Sequence, residues 1–515
     1  MAALLSISFA SFKSPLRGLC RSLYRSRESW KQKAKRAALK VLRLEQEVEV
    51  LRRKEQGHQR KIEQLQCEVR NARADQGRVS LQWANMPGHH YSAEMISLCG
   101  QLSRIIGFRP TPKVLRCVTE AFGIKLKVPS RDVVRNWSCR NGVAILRQAE
   151  PADDWVWMVD HSVQLGKMFV LVVLGIRQAE LPSGRPLRRE DMSPLAVLPT
   201  RSRDKEEVGR QLTDLARRLG TPVAIVSDGA RELHEGAASL KTLGFEGVHL
   251  DDTKHKLANS LKKKLGSDER FKAFSTKLGQ TTASIQQTEL DHLLPPRKKE
   301  KCRFLNFDAL IDWATMVEYQ LATAKSLDTH YSKRLQAKLG WLEEFVDELQ
   351  CWRECRHLVG HVLKHANKEG VFIGATSQLQ NQLMQCPAES DLAQYMRREM
   401  ISHYQSNEDK LSALAEGNIR LPCSTEVLES AFGSFKALQR DHGRGTFTSL
   451  LAVFATLFDQ CTPGKIRERF SRVKNLDLAE WIRSSNLTNS TQSRRTKAYA
   501  QARAAASTET AFSKA

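Results

Sequence analysis

Between residues 151 and 265 the chain carries five apolar runs too short for typical helices, set among amphipathic segments long enough for them. WVWMV, KMFVLVVLGI, SPLAVLP, PVAIVSD and GVHLDD are rich in Val, Ile and Leu, and read as buried strands. RDKEEVGRQLTDLARRLG, GARELHEGAASLKTLG and KHKLANSLKKKLG carry helical periodicity. The resulting order, β-β-β-α-β-α-β-α, confines this stretch to an α/β domain with a mixed sheet.

The flanks are helical. Residues 1–28 form a basic N-terminal segment, loosely ordered or transit-peptide-like. Residues 29–75 predict a coiled coil: Val41, Val48, Ile62 and Val69 share one seam position, while Leu44, Leu51 and Leu65 fill the other. β-branched residues at one seam position with Leu at the other favour a parallel dimer. Glu55, Gly57 and His58 interrupt the repeat, and a single helix lying on the body is the alternative. Residues 85–148 predict three helices, SAEMISLCGQLSRII, TPKVLRCVTEAFG closed by Gly123, and a short third helix capped by Ser130. Arg131, Arg135 and Asn136 share one face of the third helix and Val133, Val134 and Trp137 supply its buried side. That is the pattern of a helix-turn-helix recognition helix, with a plain structural bundle as the alternative.

Residues 266–415 lack strand signals and predict an all-helical insertion with a basic loop at 295–303. Residues 416–483 return to the α/β domain and supply its final helices. Residues 484–515 are rich in Ser, Thr, Ala and Arg and predict a disordered basic tail.

The chain has 515 residues and a formal net charge of +24, which favours a polyanion because each phosphate neutralised releases a condensed counterion. A membrane surface is the competing polyanion, but no apolar run approaches the roughly 18–20 residues of a spanning helix. The 11 cysteines include no CxxC pair, and a reducing compartment is the simpler reading.

Three carboxylates then stand out. Asp160 ends WVWMVD, Asp228 ends PVAIVSD, and Glu429 lies on an amphipathic helix over 424–440. On that helix Val427, Leu428, Ala431, Phe432, Phe435 and Leu438 cluster on one face, and Glu429, Gly433, Lys436 and Arg440 share the other. Phosphodiester chemistry needs an activated attacking oxygen and a stabilised leaving oxygen, which two divalent cations held by a few carboxylates supply. Asp160 could instead cap a turn, Asp228–Gly229 is a common turn pair, and Glu429 could lie on a solvated face. Glu426, Asp251 and Asp252 compete for the same role, and His161 stands beside Asp160.

VDHS, VSDGARELHEG, LDDTKHKLANSLKKKL and STEVLESAFGSFK resemble the catalytic blocks of bacterial insertion-sequence transposases of the DDE type. The resemblance spans about 150–440, with the helical block matching an insertion domain. It implies a ribonuclease H-like catalytic domain, in which the first and fourth strands lie side by side. It implies that Asp160, Asp228 and Glu429 bind catalytic Mg²⁺ (or Mn²⁺), and that Lys254, His255 and Lys256 lie near DNA with Lys436 and Arg440. It further implies double-stranded DNA partners (transposon ends and target), a homodimer or higher oligomer, no membrane, and a cytoplasmic, nucleoid-associated location. Metal-activated water would cut one strand at each end, and the freed 3′-hydroxyl would attack the target. The long Asp228–Glu429 interval departs from the compact integrase pattern and leaves the third carboxylate open. An inactive ribonuclease H-like DNA-binding regulator, or a structure-specific nuclease without strand transfer, would share these residues.

Two further features stand apart. CWRECRHLVGHVLKH places Cys351, Cys355, His357, His361 and His365 at helical spacing, which suits either zinc or an ordinary partly buried helix. The Arg-rich connection LPSGRPLRRED, at 181–191, is either a DNA-reaching loop or a solvated one. Arg494, Arg495 and Lys497 add phosphate contacts in the tail.

Overall fold

The computed structural model describes residues 83–163 (without 123 and 125), 168–296, 307–325, 329–412, 414, 419–440, 449–485 and 487. It also describes 494–502 without 496, and parts of 18–66. Gly123, Val41, Leu44, Val69, the basic loop beyond residue 296 and most of the tail therefore lie outside the described residues. Every described residue between 18 and 66 is helical. So are the described residues from 494 to 502, where the sequence predicts disorder. Their Ala, Gln, Arg and Lys content is strongly helix-forming, and this local propensity acts even where there is little to bury.

Two units can be distinguished. One comprises Met1–Gln82, Lys277–Pro295 and Leu321–Gly340, in which Arg334 pairs with Glu289 at 2.8 Å. The other comprises Trp83–Thr276, Pro296–Gln320 and Trp341–Ala515, and holds the sheet and every candidate site residue.

The second unit is built on one five-stranded sheet: β1 (Trp155–Val163), β2 (Phe169–Arg177), β3 (Ser193–Thr200), β4 (Ala224–Ser227) and β5 (Val248–Asp251). The strand order is β3-β2-β1-β4-β5. β2 is antiparallel to β1 and to β3, whereas β4 is parallel to both β1 and β5. All five strands fall on the five apolar runs.

The helices, in chain order, are α1 (Ala93–Ile106), α2 (Thr111–Ala121), α3 (Arg131–Leu146), α4 (Lys205–Leu219), α5 (Arg231–Ala238), α6 (Thr253–Ser267), α7 (Glu269–Ile285) and α8 (Phe307–Lys325). There follow α9 (His330–Leu339), α10 (Val346–Lys368), α11 (Ala375–Met384), α12 (Asp391–Leu411), α13 (Glu426–Arg440), α14 (Pro463–Arg472) and α15 (Asn475–Ser484). Among the described residues, no helix is long and apolar enough to cross a membrane.

One face of the sheet is sealed by α4 and α5. Val208, Leu212, Leu215, Leu219, Leu233 and Ala237 pack on Trp155, Trp157, Val159, Leu171 and Ile225. Side chains alternate along a strand, so Asp160 belongs to the opposite face with Val156 and Met158. The α13 helix touches β1. It is seated by its predicted apolar stripe, with Phe432 and Phe435 against Phe454 at ring separations of 5.7 and 5.6 Å. Phe454 lies in a buried 3₁₀ segment, Ser449–Phe458, which also contacts α3 and β3.

The third N-terminal helix is longer and more deeply set than expected. Ser130 caps it as predicted, its hydroxyl accepting from the Val133 N–H at 3.4 Å. Beyond its first two turns α3 is buried through Leu146, and Gly142 meets the Ala452 carbonyl so closely that a Cβ would stand 1.8 Å from the oxygen. Arg140 is buried and donates to the Val473 and Phe470 carbonyls. Only the first turns of α3 remain available as a recognition surface.

Candidate active site

The parallel pairing of β1 with β4 runs from Val156↔Ala224 to Val159↔Ser227. Asp160 and Asp228 are each the next residue, so they stand at the same level on neighbouring chains, and parallel neighbours lie about 4.8 Å apart. Asp160 does not close β1, as the sequence suggests. The strand continues to Val163 against β2, with Asp160 opposite Val172. It closes only the β4-facing part of the strand, a distinction that a single-strand reading cannot make.

Asp160 is 5% exposed, and its Oδ1 accepts from the His161 N–H at 2.7 Å. Asp228 Oδ1 accepts from the Ala230 N–H at 3.0 Å, turning the chain into α5 through Gly229, which has φ +74°. The left-handed backbone at that turn suits glycine. Burial lowers the pKa of His161, although Glu232 and Asp228 pull it upward, and its Nε2 is buried without a hydrogen-bond partner.

The third carboxylate comes from α13. Two anchors fix that helix. Asp252 accepts from both the N–H and the hydroxyl of Thr425 while its other oxygen caps α6 at the His255 N–H, 2.8 Å away. Arg189, from the β2–β3 connection, donates to the Ser430 carbonyl and hydroxyl and to the Ser434 hydroxyl at 2.7–2.8 Å. Nothing local in the sequence marks Arg189 among the arginines of this loop, because its serine partners lie 241 and 245 residues further along the chain.

Lys254 stands between the two competing glutamates, with Nζ 2.9 Å from Glu426 Oε1 and 3.4 Å from Glu429 Oε2. Asn367 also donates to Glu426, at 2.7 Å. Glu426 therefore faces α10, whereas the Glu429 side chain is only 21% exposed. Asp252, His255 and Glu429 bring ligand atoms within 4.8 Å of one another, a group able to hold a metal ion. Neither of the two such clusters among the described residues contains Asp160 or Asp228, so those aspartates and Glu429 do not form so tight a set.

The other competitors have defined roles. Burial opposes ionisation of Asp251, but His234 and Lys410 hydrogen-bond to it and hold its carboxyl well below the usual range. Asp252 is buried too, yet His255 and Thr425 bring its pKa down to about 2. Both act as cross-links between β5 or α6 and the helices around them.

The predicted DNA-facing residues separate into groups. Arg131 is exposed and paired with its neighbour Asp132, while Asn136 donates to Asn475 at 3.0 Å. Arg135 is half-buried. Lys256 pairs with Glu399 at 3.5 Å. Lys436 and Arg440 are exposed on the same side of α13 as Glu429, and a Cβ at Gly433 between them would meet nothing within 4 Å. Beside the N-terminus of α13 an open groove of about 800 Å³ is lined by Arg185, Arg188, Arg189, Lys368, Arg420 and Glu426.

No protein-family model matches the chain, and neither does any curated protein.

Proposed function

We propose that this chain is a metal-dependent polynucleotidyl transferase of the DDE type, acting on double-stranded DNA as a transposase. The observation that carries the reading is the placement of Asp160 and Asp228 one step beyond the Val159↔Ser227 pair, with Glu429 on a helix that touches β1. The order β3-β2-β1-β4-β5, with β1 beside β4, supports a ribonuclease H-like domain.

The donor set fits Mg²⁺, since three carboxylates are hard oxygen ligands and Mg²⁺ needs few of them. Asp160, Asp228 and Glu429 would hold the ions, which when bound activate the attacking oxygen and stabilise the leaving one. Asp160 is held by its pairing with Val172 in the sheet, and Asp228 by the turn its side chain closes with the Ala230 N–H. Arg189 and Asp252 hold α13 at a fixed angle, and so set where Glu429 stands. Lys254 balances the charge of the glutamates and orients them. Arg188, Lys368, Lys436 and Arg440 supply exposed charge for the phosphate backbone. Mn²⁺ would substitute, and a bacterial nucleoid is the location such a substrate implies.

The test uses DNA carrying the gene's native flanks, with Mg²⁺ or Mn²⁺, and compares the wild type with Asp228→Ala. Metal-dependent cutting at the flank junctions that the variant loses, with DNA binding retained, is the expected result. Joined products separate strand transfer from simple nuclease action. Binding without cutting by the wild type would overturn the enzymatic reading in favour of a regulator.

A further inference from the structure

The helical block carries a second cluster with different donor chemistry. Of the five Cys and His residues between 351 and 365, the fold sorts three inward or elsewhere. His365 is buried, with Nδ1 3.1 Å from the Tyr404 hydroxyl and Nε2 3.2 Å from the Gln378 side-chain oxygen. Cys355 is fully buried, and Cys351 is half-buried near Ser390. His357 and His361 remain, one turn apart on α10, with ring centroids 4.6 Å apart.

A third donor arrives from another element. Cys386 follows the end of α11, and its Sγ and the imidazole nitrogens of His357 and His361 all lie within 4.8 Å of one another. Among the described residues its thiol donates only a long 3.6 Å hydrogen bond, to the Gln382 carbonyl. Two imidazoles at i and i+4 with a thiol from a separate segment are the arrangement that the run at 351–365 lacks by itself.

We propose that His357, His361 and Cys386 bind a single Zn²⁺ ion, with solvent completing the tetrahedron on the side of the exposed His357. Two nitrogens and a sulfur select a borderline-soft cation over Mg²⁺, which takes oxygen ligands. Bond lengths of about 2.0–2.3 Å place tetrahedral ligand atoms roughly 3.3–3.8 Å apart. From separations of no more than 4.8 Å the atoms need to close by at most about 1.5 Å, a movement on the scale of a side-chain adjustment. On binding, the Cys386 thiol loses its proton to solvent and the sulfur becomes the thiolate ligand. The ion would tie α10 to the segment between α11 and α12. It is independent of the carboxylate site, whose oxygen donors give no thiolate signal.

The experiment is a Co²⁺ titration of the full chain after dialysis against a chelator. The expected result is a near-ultraviolet thiolate-to-cobalt charge-transfer band that saturates at one equivalent and is abolished by Zn²⁺. Cys386→Ser should remove the band, and His357→Gln should weaken Co²⁺ binding at least about tenfold, whereas Cys351→Ser should leave it intact. His357 is exposed, so His357→Gln keeps the test valid if Cys386→Ser does not fold. A band that survives in Cys386→Ser, equal binding in His357→Gln, or a wild type without any thiolate band would each overturn the site.

Discussion

At 2.9 Å from Glu426 and 3.4 Å from Glu429, the Lys254 ammonium joins the two glutamates between which the sequence could not choose. Their other surroundings separate them. Glu426 is 47% exposed and shared with Asn367, while Glu429 is turned toward Asp252 and His255. Glu429→Gln should therefore lower strand cleavage at least about 100-fold, and Glu426→Gln by less than about tenfold. Single-turnover cleavage rates decide it, and the reverse order would move the third carboxylate to Glu426. A second residue-scale consequence concerns pH. Burial lowers the pKa of His403 from 6.5 to about 4, with Asp251 and Asp252 opposing and Lys256 and Lys410 assisting. His249 is lowered from 6.5 to about 3, again mainly by burial. Between those values and 6.5 the unfolded chain binds more protons than the folded one, so stability rises with pH through that window. The stability conferred by the neutral rings is complete above pH 6.5 and is lost as pH falls toward 4 and 3. Thermal midpoints measured from pH 7 down to pH 4 should fall, and His403→Gln should flatten the fall; an unchanged slope would remove His403 as a cause.

The elements show why some of this was legible in sequence and some was not. Strands β1 to β5 were readable because each is a short, β-branched, buried run with a polar boundary, and the stripe of α13 was readable because its period is local. The side carrying Glu429, Gly433, Lys436 and Arg440 followed from the same period, although Glu429 itself is half-buried. The burial of α3 was not readable, since it depends on Ser449–Phe458, α14 and α15, which lie more than half the chain away. Cys386 was not readable from the run at 351–365 for a more local reason: it lies on a separate segment beyond α11. The two glycines of α3 and α13 test this difference. Gly142→Ala drives a Cβ into the Ala452 carbonyl and should cost about 3 kcal/mol or more. Gly433→Ala meets open space and should stabilise the helix by about 0.5–1 kcal/mol. If DNA passes over α13, the added methyl should nevertheless slow cleavage. Urea unfolding read beside cleavage checks both, and faster cleavage in Gly433→Ala would place the DNA elsewhere.

At the scale of the whole molecule, the proposed function requires two DNA ends to be brought together, which one set of three carboxylates per chain would not do. The N-terminal helical residues offer the means. Val48, Leu51, Ile62 and Leu65 are helical and 44–61% exposed, at the seam positions that the heptad predicts. Apolar residues repeated along one stripe of a helix and left in water are stabilised by a second copy of the same stripe. The interruption at Glu55 and His58 divides the seam into two short stretches, so each apolar pair carries a large share of the association. Replacing Leu51 and Ile62 together by Lys places like charges across a parallel seam and should convert a particle of twice the 58.3 kDa chain mass into one of that mass. Light scattering after size exclusion reads the change directly. Cutting of a single DNA end should persist in this variant while paired-end joining is lost, because the substitutions lie far along the sequence from Asp160, Asp228 and Glu429. A variant that stays dimeric would assign self-association to another surface, and a monomer that still joins paired ends would separate joining from the coiled coil.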